Sequence, residues 1–293
     1  MAATTRPRRS VLYMPGSNAR ALEKGRTLRV DGLILDLEDA VAPDSKELAR
    51  TQICDAVKAG GYGMREILIR TNGLNTTWGY DDIVAASTSG ADGILLPKVD
   101  SADMVRQVEA IMDAAGAPTD MKIWCMMETP RAMLRAEEIA DSTDRMGGFV
   151  MGTSDLAKDL RCAHTAMRLP FMMSLNICVL AARAANIAIL DGVYLDLSDD
   201  EGFVAHCTQG FELGFDGKTL IHPKTVAVAN EIFGPSEAEV AWSHKIIAAH
   251  AEAEAEGKGV VVVDGKLIEN LHVVTAKQVV AQAEAIEKMS AAE

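Results

Sequence analysis

The chain has no CxxC pair, and its five cysteines, Cys54, Cys125, Cys162, Cys178 and Cys207, are scattered and odd in number. Disulfides and a structural zinc site are therefore not expected, and a reducing cytoplasmic setting fits best. No apolar run approaches the roughly 18 residues that a membrane span needs. The opening segment MAATTRPRRS carries arginines but no apolar stretch, so it does not read as a secretory signal. A very short organelle-targeting remnant is the alternative. Neither GxGxxG nor the P-loop pattern occurs, which removes the usual phosphate-cradling turns. Basic residues are also in deficit. The 293 residues hold 29 basic against 42 acidic side chains, a formal charge of −13. That argues against general affinity for nucleic acid or an anionic membrane.

Short β-rich runs alternate with stretches of helical spacing. The strand candidates are 10–14, 32–37, 66–71, 93–99, 122–127, 148–152, 187–193 and 217–222, and helices are expected over 45–58, 101–115, 170–185 and 200–213. Several strands are continuous apolar runs, as in a parallel sheet covered by helices on both faces. Eight such units predict an α/β fold, a (β/α)8 TIM barrel over residues 1–235. A doubly wound open sheet is the alternative. Ser236 then reads as the cap of a helix to about Glu256. GKGVVVVDGKLIENL follows as a hairpin turning at Asp264-Gly265, and a last helix closes the chain. Residues 236–293 are thus expected as a small helix–hairpin–helix lid, too short for a core of its own.

In this barrel type the chemistry gathers at the C-terminal ends of the strands. The stretch LILDLEDAV, Leu33 to Val41, begins as a buried strand and then sets Asp36, Glu38 and Asp39 within four positions. Buried unpaired charge is expensive, so the strand must surface or meet a cation. Arg70, ending strand three, is the obvious counter-ion. It is also a fork that can grip an enolate or carboxylate oxygen, and a purely structural ion pair is its bland role. Lys98 and His222 add charged or metal-competent side chains at the same rim. Glu128 and Asp155 follow strands five and six. Two convergent carboxylates suit a hard divalent cation that fills its shell with water and substrate oxygens. The alternative is that each caps the helix after it. Arg6, Arg8, Arg9, Arg20, Lys24, Arg26 and Arg29 crowd the start of the chain. They are either a solvated positive face or a dock for an anionic ligand.

The segments RRSVLYMPGSNARALEK, LDLEDAVAPDSK, IRTNGLNT, LLPKV, METP, MGTSDLAKDL, GKTLIHPKTVAVANEIFGPSEAEV and DGKLIENLHV together resemble the citrate lyase β-subunit/malyl-CoA lyase family of the HpcH/HpaI aldolase superfamily. The likeness spans nearly the whole chain in order. It implies a Mg²⁺-dependent barrel with a C-terminal lid, assembled as a homotrimer or hexamer, with Mn²⁺ as an alternative ion. It further implies an enzyme, a carbon–carbon lyase that cleaves or forms 3-hydroxyacyl-CoA thioesters. Malyl-CoA, β-methylmalyl-CoA and citramalyl-CoA are the candidate substrates, giving acetyl- or propionyl-CoA and a 2-oxo acid. By this resemblance Glu128 and Asp155 hold the metal, Arg70 holds the enolate oxygen and oxo acid, and Tyr13 and Lys24 contact the CoA nucleotide. Asp36, Glu38 and Asp39 stand behind them, orienting Arg70 and metal-bound waters. The malyl-CoA lyases carry a catalytic aspartate in the lid, where this chain has Glu269, one methylene longer. A malyl-CoA thioesterase, a metal aldolase of free acids, a β-subunit working with an acyl-carrier protein and a non-catalytic scaffold are the rival readings.

Overall fold

The computed structural model describes residues 6–257 and 259–292, so of the opening segment MAATTRPRRS the first five residues lie outside it. Two compact units are present. One runs Arg8–Ala229, and the other groups Arg6 and Pro7 with the described residues from Asn230 onward, a division a few residues before the expected boundary at 235.

The first unit is a closed parallel barrel of eight strands in sequence order, with helices between them. The strands are β1 (Ser10–Pro15), β2 (Gly32–Asp36), β3 (Glu66–Arg70), β4 (Gly93–Leu96), β5 (Lys122–Met127), β6 (Met146–Met151), β7 (Ala188–Asp191) and β8 (Gly217–Leu220). All eight expected strands are there, and the doubly wound alternative is excluded by the β1–β8 pairing that closes the sheet. Inside, Val11, Ile34, Leu68, Leu95, Trp124, Met126, Val150 and Leu190 form one buried cluster. Their outward neighbours, among them Leu33, Leu35, Ile69, Ile94, Cys125, Phe149 and Ile189, are equally buried. That two-sided burial is why the strands read as unbroken apolar runs.

The two-residue period of a strand places the site. Asp36 lies two residues beyond Ile34, Arg70 two beyond Leu68, and Glu128 two beyond Met126, so all three share the inward face. The barrel is apolar at mid-height and charged at its C-terminal rim. At the opposite end Arg8 forms paired bonds of 2.6 and 2.8 Å to Glu66, and its guanidinium lies 5.1 Å from the Trp124 ring centre. Arg9 binds Asp31 there through 2.9 and 2.8 Å bonds. These two arginines, and Arg26, which pairs with Glu23 and covers Tyr62, serve the framework, so the expected basic cluster is not one dock.

In the second unit a capping box opens the helix Glu237–Ala255. Ser236 Oγ accepts from Glu239 N at 3.2 Å, and Ser236 N donates to Glu239 Oε2 at 2.8 Å. Strands β9 (Val261–Val263) and β10 (Lys266–Ile268) form the hairpin, with positive φ at both Asp264 (47°) and Gly265 (78°), the turn that Asp-Gly favours. The helix Asn270–Ala291 follows. The expectation that this segment lacks a core is corrected. Ile246, Val263, Ile268, Val273 and Ala276 bury one another, with Trp242 and Val261 against them, because the hairpin folds onto the apolar sides of both helices. Among the described residues no helix is long and apolar enough to cross a membrane.

Candidate active site

Arg70 organises the rim. Its Nε donates to Asp36 Oδ1 at 2.7 Å and its Nη2 to Asp36 Oδ2 at 2.6 Å, the two-pronged geometry only a guanidinium can make. Asp36 is itself fixed by the backbone N–H groups of Glu38 (2.9 Å) and Ala40 (3.0 Å). The third guanidinium nitrogen, Nη1, lies 3.1 Å from Glu38 Oε2 and 3.8 Å from Asp39 Oδ2. Tyr13 packs on the interior cluster with its ring centre 4.9 Å from the guanidinium. Burial pushes the Tyr13 hydroxyl pKa up despite the pull of Arg70, so the phenol stays protonated. The opening problem of the three acids is thereby resolved. Asp36 is spent on Arg70, Glu38 bridges Arg70 and Lys98, and Asp39 is exposed at the rim with its carboxylate still within reach of Nη1.

Glu128 directly follows β5 and is 2% exposed. Oε1 accepts the backbone N–H of Lys98 at 2.7 Å. Oε2 accepts no hydrogen bond from the described residues. It stands against Gly152, where a Cβ would lie 2.3 Å from Oε2 and 2.5 Å from the Glu128 Cβ. Glycine there leaves room for this carboxylate. Burial raises the Glu128 pKa to about 7. The Lys98 N–H opposes that, while the charges of Glu38 and Asp155 reinforce it. Asp155 lies in the first turn of the helix Thr153–Leu160, a position that suits negative charge. Its pKa falls below the usual range: burial pulls up, but Lys158 and Lys98 outweigh it.

The alternative reading of these two acids as helix caps does not hold. Thr129, not Glu128, caps the helix Pro130–Leu134, accepting from Ala132 N at 3.1 Å, and the helix of Asp155 has Gly152 at its N-cap and no side-chain cap.

Lys98 connects what the sequence reading left separate. Its Nζ donates to Glu38 Oε1 at 2.6 Å and lies 3.6 Å from Asp155 Oδ2. Behind the rim, Lys46 is buried and donates to the carbonyls of Leu37 (2.8 Å) and Glu38 (2.7 Å), and Asn72 Nδ2 donates to Leu37 O at 2.9 Å. Both hold the turn that presents Glu38. Nothing in residue type marks them; a lysine inside a helix pattern reads as solvated surface. Lys24 lies on the separate exposed helix Ala19–Gly25 after β1. Glu269 belongs to the second compact unit, where it caps the helix Asn270–Ala291 and its backbone N–H donates to His272 Nδ1 at 3.0 Å. The structure thus gathers Tyr13, Asp36, Glu38, Asp39, Arg70, Lys98, Glu128 and Asp155 at one mouth.

No group of three or more His, Cys, Asp or Glu side chains converges on a point among the described residues. A cation caged entirely by protein does not fit. An ion that takes one or two carboxylates and completes its octahedron with water and substrate oxygens does fit, given that Glu128 Oε2 accepts no hydrogen bond from the described residues and that Asp155 stands at the same rim.

Residues 9–223 match the family described as HpcH/HpaI aldolase/citrate lyase. Over 286 residues, 98% of each chain, the protein is 49% identical to a (3S)-malyl-CoA thioesterase of Cereibacter sphaeroides. It is 33% identical to the citrate lyase subunit beta of Escherichia coli, over 96% of this chain and 94% of that one. Among solved structures it resembles the protein CitE from Mycobacterium tuberculosis in complex with magnesium, acetoacetate and coenzyme A. There the TM-score is 0.76 at 25% identity, covering 96% of this chain and all of that one. An eight-stranded parallel barrel with its charge at the strand ends and full-length relatives of this kind lead to one conclusion: the chain belongs to the HpcH/HpaI aldolase/citrate lyase family.

Proposed function

We propose that the protein is a Mg²⁺-dependent carbon–carbon lyase acting on 3-hydroxyacyl-CoA thioesters such as malyl-CoA, β-methylmalyl-CoA or citramalyl-CoA. The observation that carries this is Arg70, locked by Asp36 at the same rim as the carboxylates Glu128 and Asp155, which Lys98 links to Glu38. Glu128 and Asp155 would hold the metal, with Mn²⁺ an alternative. Mg²⁺ bound there supplies Lewis acidity for the oxo-acid half of the substrate. Breaking the C2–C3 bond would turn the 3-hydroxyl into the oxo group, with its proton lost to water, and leave negative charge on the thioester oxygen until the enolate carbon takes up a proton. Arg70 Nη1, which carries no hydrogen bond to Asp36, offers a fixed positive donor for that charge. Asp36 and Tyr13 keep the guanidinium from turning, so little reorganisation accompanies the charge shift. Glu38 and Asp39 keep a second anionic partner close to Nη1. Lys24, on its exposed helix, is assigned to the CoA phosphates. Glu269, contributed by an adjacent subunit of a trimer or hexamer, is assigned the proton on the methyl carbon.

A second reading has a specific observation behind it, the 49% relative named a (3S)-malyl-CoA thioesterase. Hydrolysis would use the same charged mouth to stabilise a tetrahedral oxyanion at the thioester carbonyl, with water in place of carbon–carbon scission. The test is a panel of hydroxyacyl-CoAs assayed with and without Mg²⁺ for wild type, Glu128→Ala and Asp155→Ala. The proposal expects turnover only in wild type with metal. Full activity of either variant in metal-depleted buffer contradicts it.

A further inference from the structure

We propose that Lys98 is a tethered cation occupying ground that the divalent metal needs, so that it sets the metal affinity of the site. The inference rests on the reading of Glu128 and Asp155 as the metal carboxylates. Three observations support it. Lys98 reaches three acids from three different parts of the barrel: Glu128 through its backbone N–H (2.7 Å), and Glu38 (2.6 Å) and Asp155 (3.6 Å) through its ammonium. Its backbone is left-handed, with φ of 50°, a conformation that non-glycine residues seldom adopt and that functional sites tend to hold. This turn after β4 aims the N–H at Glu128 while the side chain runs on to the other two acids. And the ammonium is not sealed in: the side chain is 43% exposed, so its four-carbon stem is free to move aside without opening the core.

Magnesium binds carboxylate oxygens at about 2.0–2.1 Å and dehydrates reluctantly. A dication at Glu128 and Asp155 would meet the Lys98 ammonium across a short, partly desolvated gap, where like charges repel strongly. The lysine need not be left unpaired as the metal enters, since Glu38 already holds it at 2.6 Å and only the 3.6 Å approach to Asp155 is given up. The backbone N–H meanwhile holds Glu128 Oε1 in either case, leaving Oε2 for the ion. Lys98 is therefore a positioning residue with two separable parts, a fixed main-chain donor and a displaceable charge.

The bland alternative is a plain counter-ion that neutralises crowded acids and supports their geometry. The two differ in sign. Losing a supporting counter-ion loosens the site and weakens the metal, whereas losing a competitor tightens it. Mg²⁺ is titrated calorimetrically into the full-length protein, Lys98→Gln, Lys98→Arg and Lys158→Gln. Lys158 is the control, because it touches the other oxygen of Asp155 at 2.9 Å from a solvated position. Lys98→Gln should bind Mg²⁺ about tenfold more tightly or better, given the strength of close repulsion at reduced dielectric. Lys98→Arg, which keeps the charge, and Lys158→Gln should stay near wild type. Lys98→Gln binding no more tightly than Lys158→Gln overturns the proposal. If Mg²⁺ binds none of the four proteins, the metal assignment fails first and this inference with it.

Discussion

Arg70 shows how much one residue depends on another. It is 7% exposed, and Asp36 is its main partner. Asp36→Ala would leave a buried guanidinium without its two shortest bonds, a loss on the order of 3–5 kcal/mol. Urea unfolding should register that cost, and turnover should collapse with it; a variant as stable as wild type contradicts the account of Arg70. Gly152 gives a second prediction. Gly152→Ala puts a methyl into the Glu128 carboxylate, and since disturbed supports of metal ligands lower affinity about 10–100-fold, Mg²⁺ binding should fall by that order. The pairing of Arg70 with the Asp36 acids was legible in the sequence, because a strand running into three carboxylates demands a cation. The part played by Lys98 was not. Its importance comes from a left-handed backbone and a reach across three strands, neither of which residue type announces.

At the scale of elements, most strands could be read to within a residue or two, since continuous apolar runs of β-formers between helical stretches leave few alternatives. Their C-terminal limits were overestimated where a run outlasts its ladder. β4 stops at Leu96 because Pro97 offers no N–H and Lys98 turns away, although the apolar pattern continues to Val99. A buried charge cluster outside the barrel interior went unseen altogether. Asp191, closing β7, binds Lys218 of β8 at 3.0 Å and Arg168 at 2.7 Å, while Lys218 Nζ lies 2.7 Å from His206 Nδ1 on the helix Asp200–Leu213. It joins two strands to the surrounding layer. Tyr194 packs edge-on against the same imidazole. Burial, with the Lys218 charge beside it, holds the His206 pKa down to about 4, against the Asp191 carboxylate 3.5 Å from Nδ1, which works the other way. The folded state therefore favours the neutral ring. The stability this contributes is present above the unfolded value of about 6.5 and is lost as pH falls through that value toward 4, on the order of 3 kcal/mol in all. His206→Gln can still accept from Lys218 but does not titrate. Its melting temperature should fall less steeply than that of wild type between pH 6.5 and 4, and parallel curves would remove His206 from the acid response.

For the molecule as a whole, the full-length agreement with its relatives leaves two questions, assembly and reaction. Met173 and Leu180, two turns apart on the helix Met172–Ala184, are 77% and 70% exposed, and Leu169 in the turn before it is 74% exposed, apolar side chains of the kind an interface would cover. The proposed homo-oligomer predicts that Met173→Asp with Leu180→Asp shifts the mass measured by light scattering downward; an unchanged mass moves the interface elsewhere. The lid assignment predicts that mixing inactive Glu269→Gln with inactive Arg70→Ala partly restores activity, since crossed sites would then hold both intact residues. Subunits that exchange yet stay inactive would defeat the crossing. The central claim is the reaction itself, and one measurement reaches it. Malyl-CoA is incubated with the enzyme and Mg²⁺, and the products are identified by mass. The account predicts glyoxylate and acetyl-CoA in equal amounts, with none formed when the metal is removed; malate and free CoA without glyoxylate would contradict it and establish the thioester bond as the one that is broken.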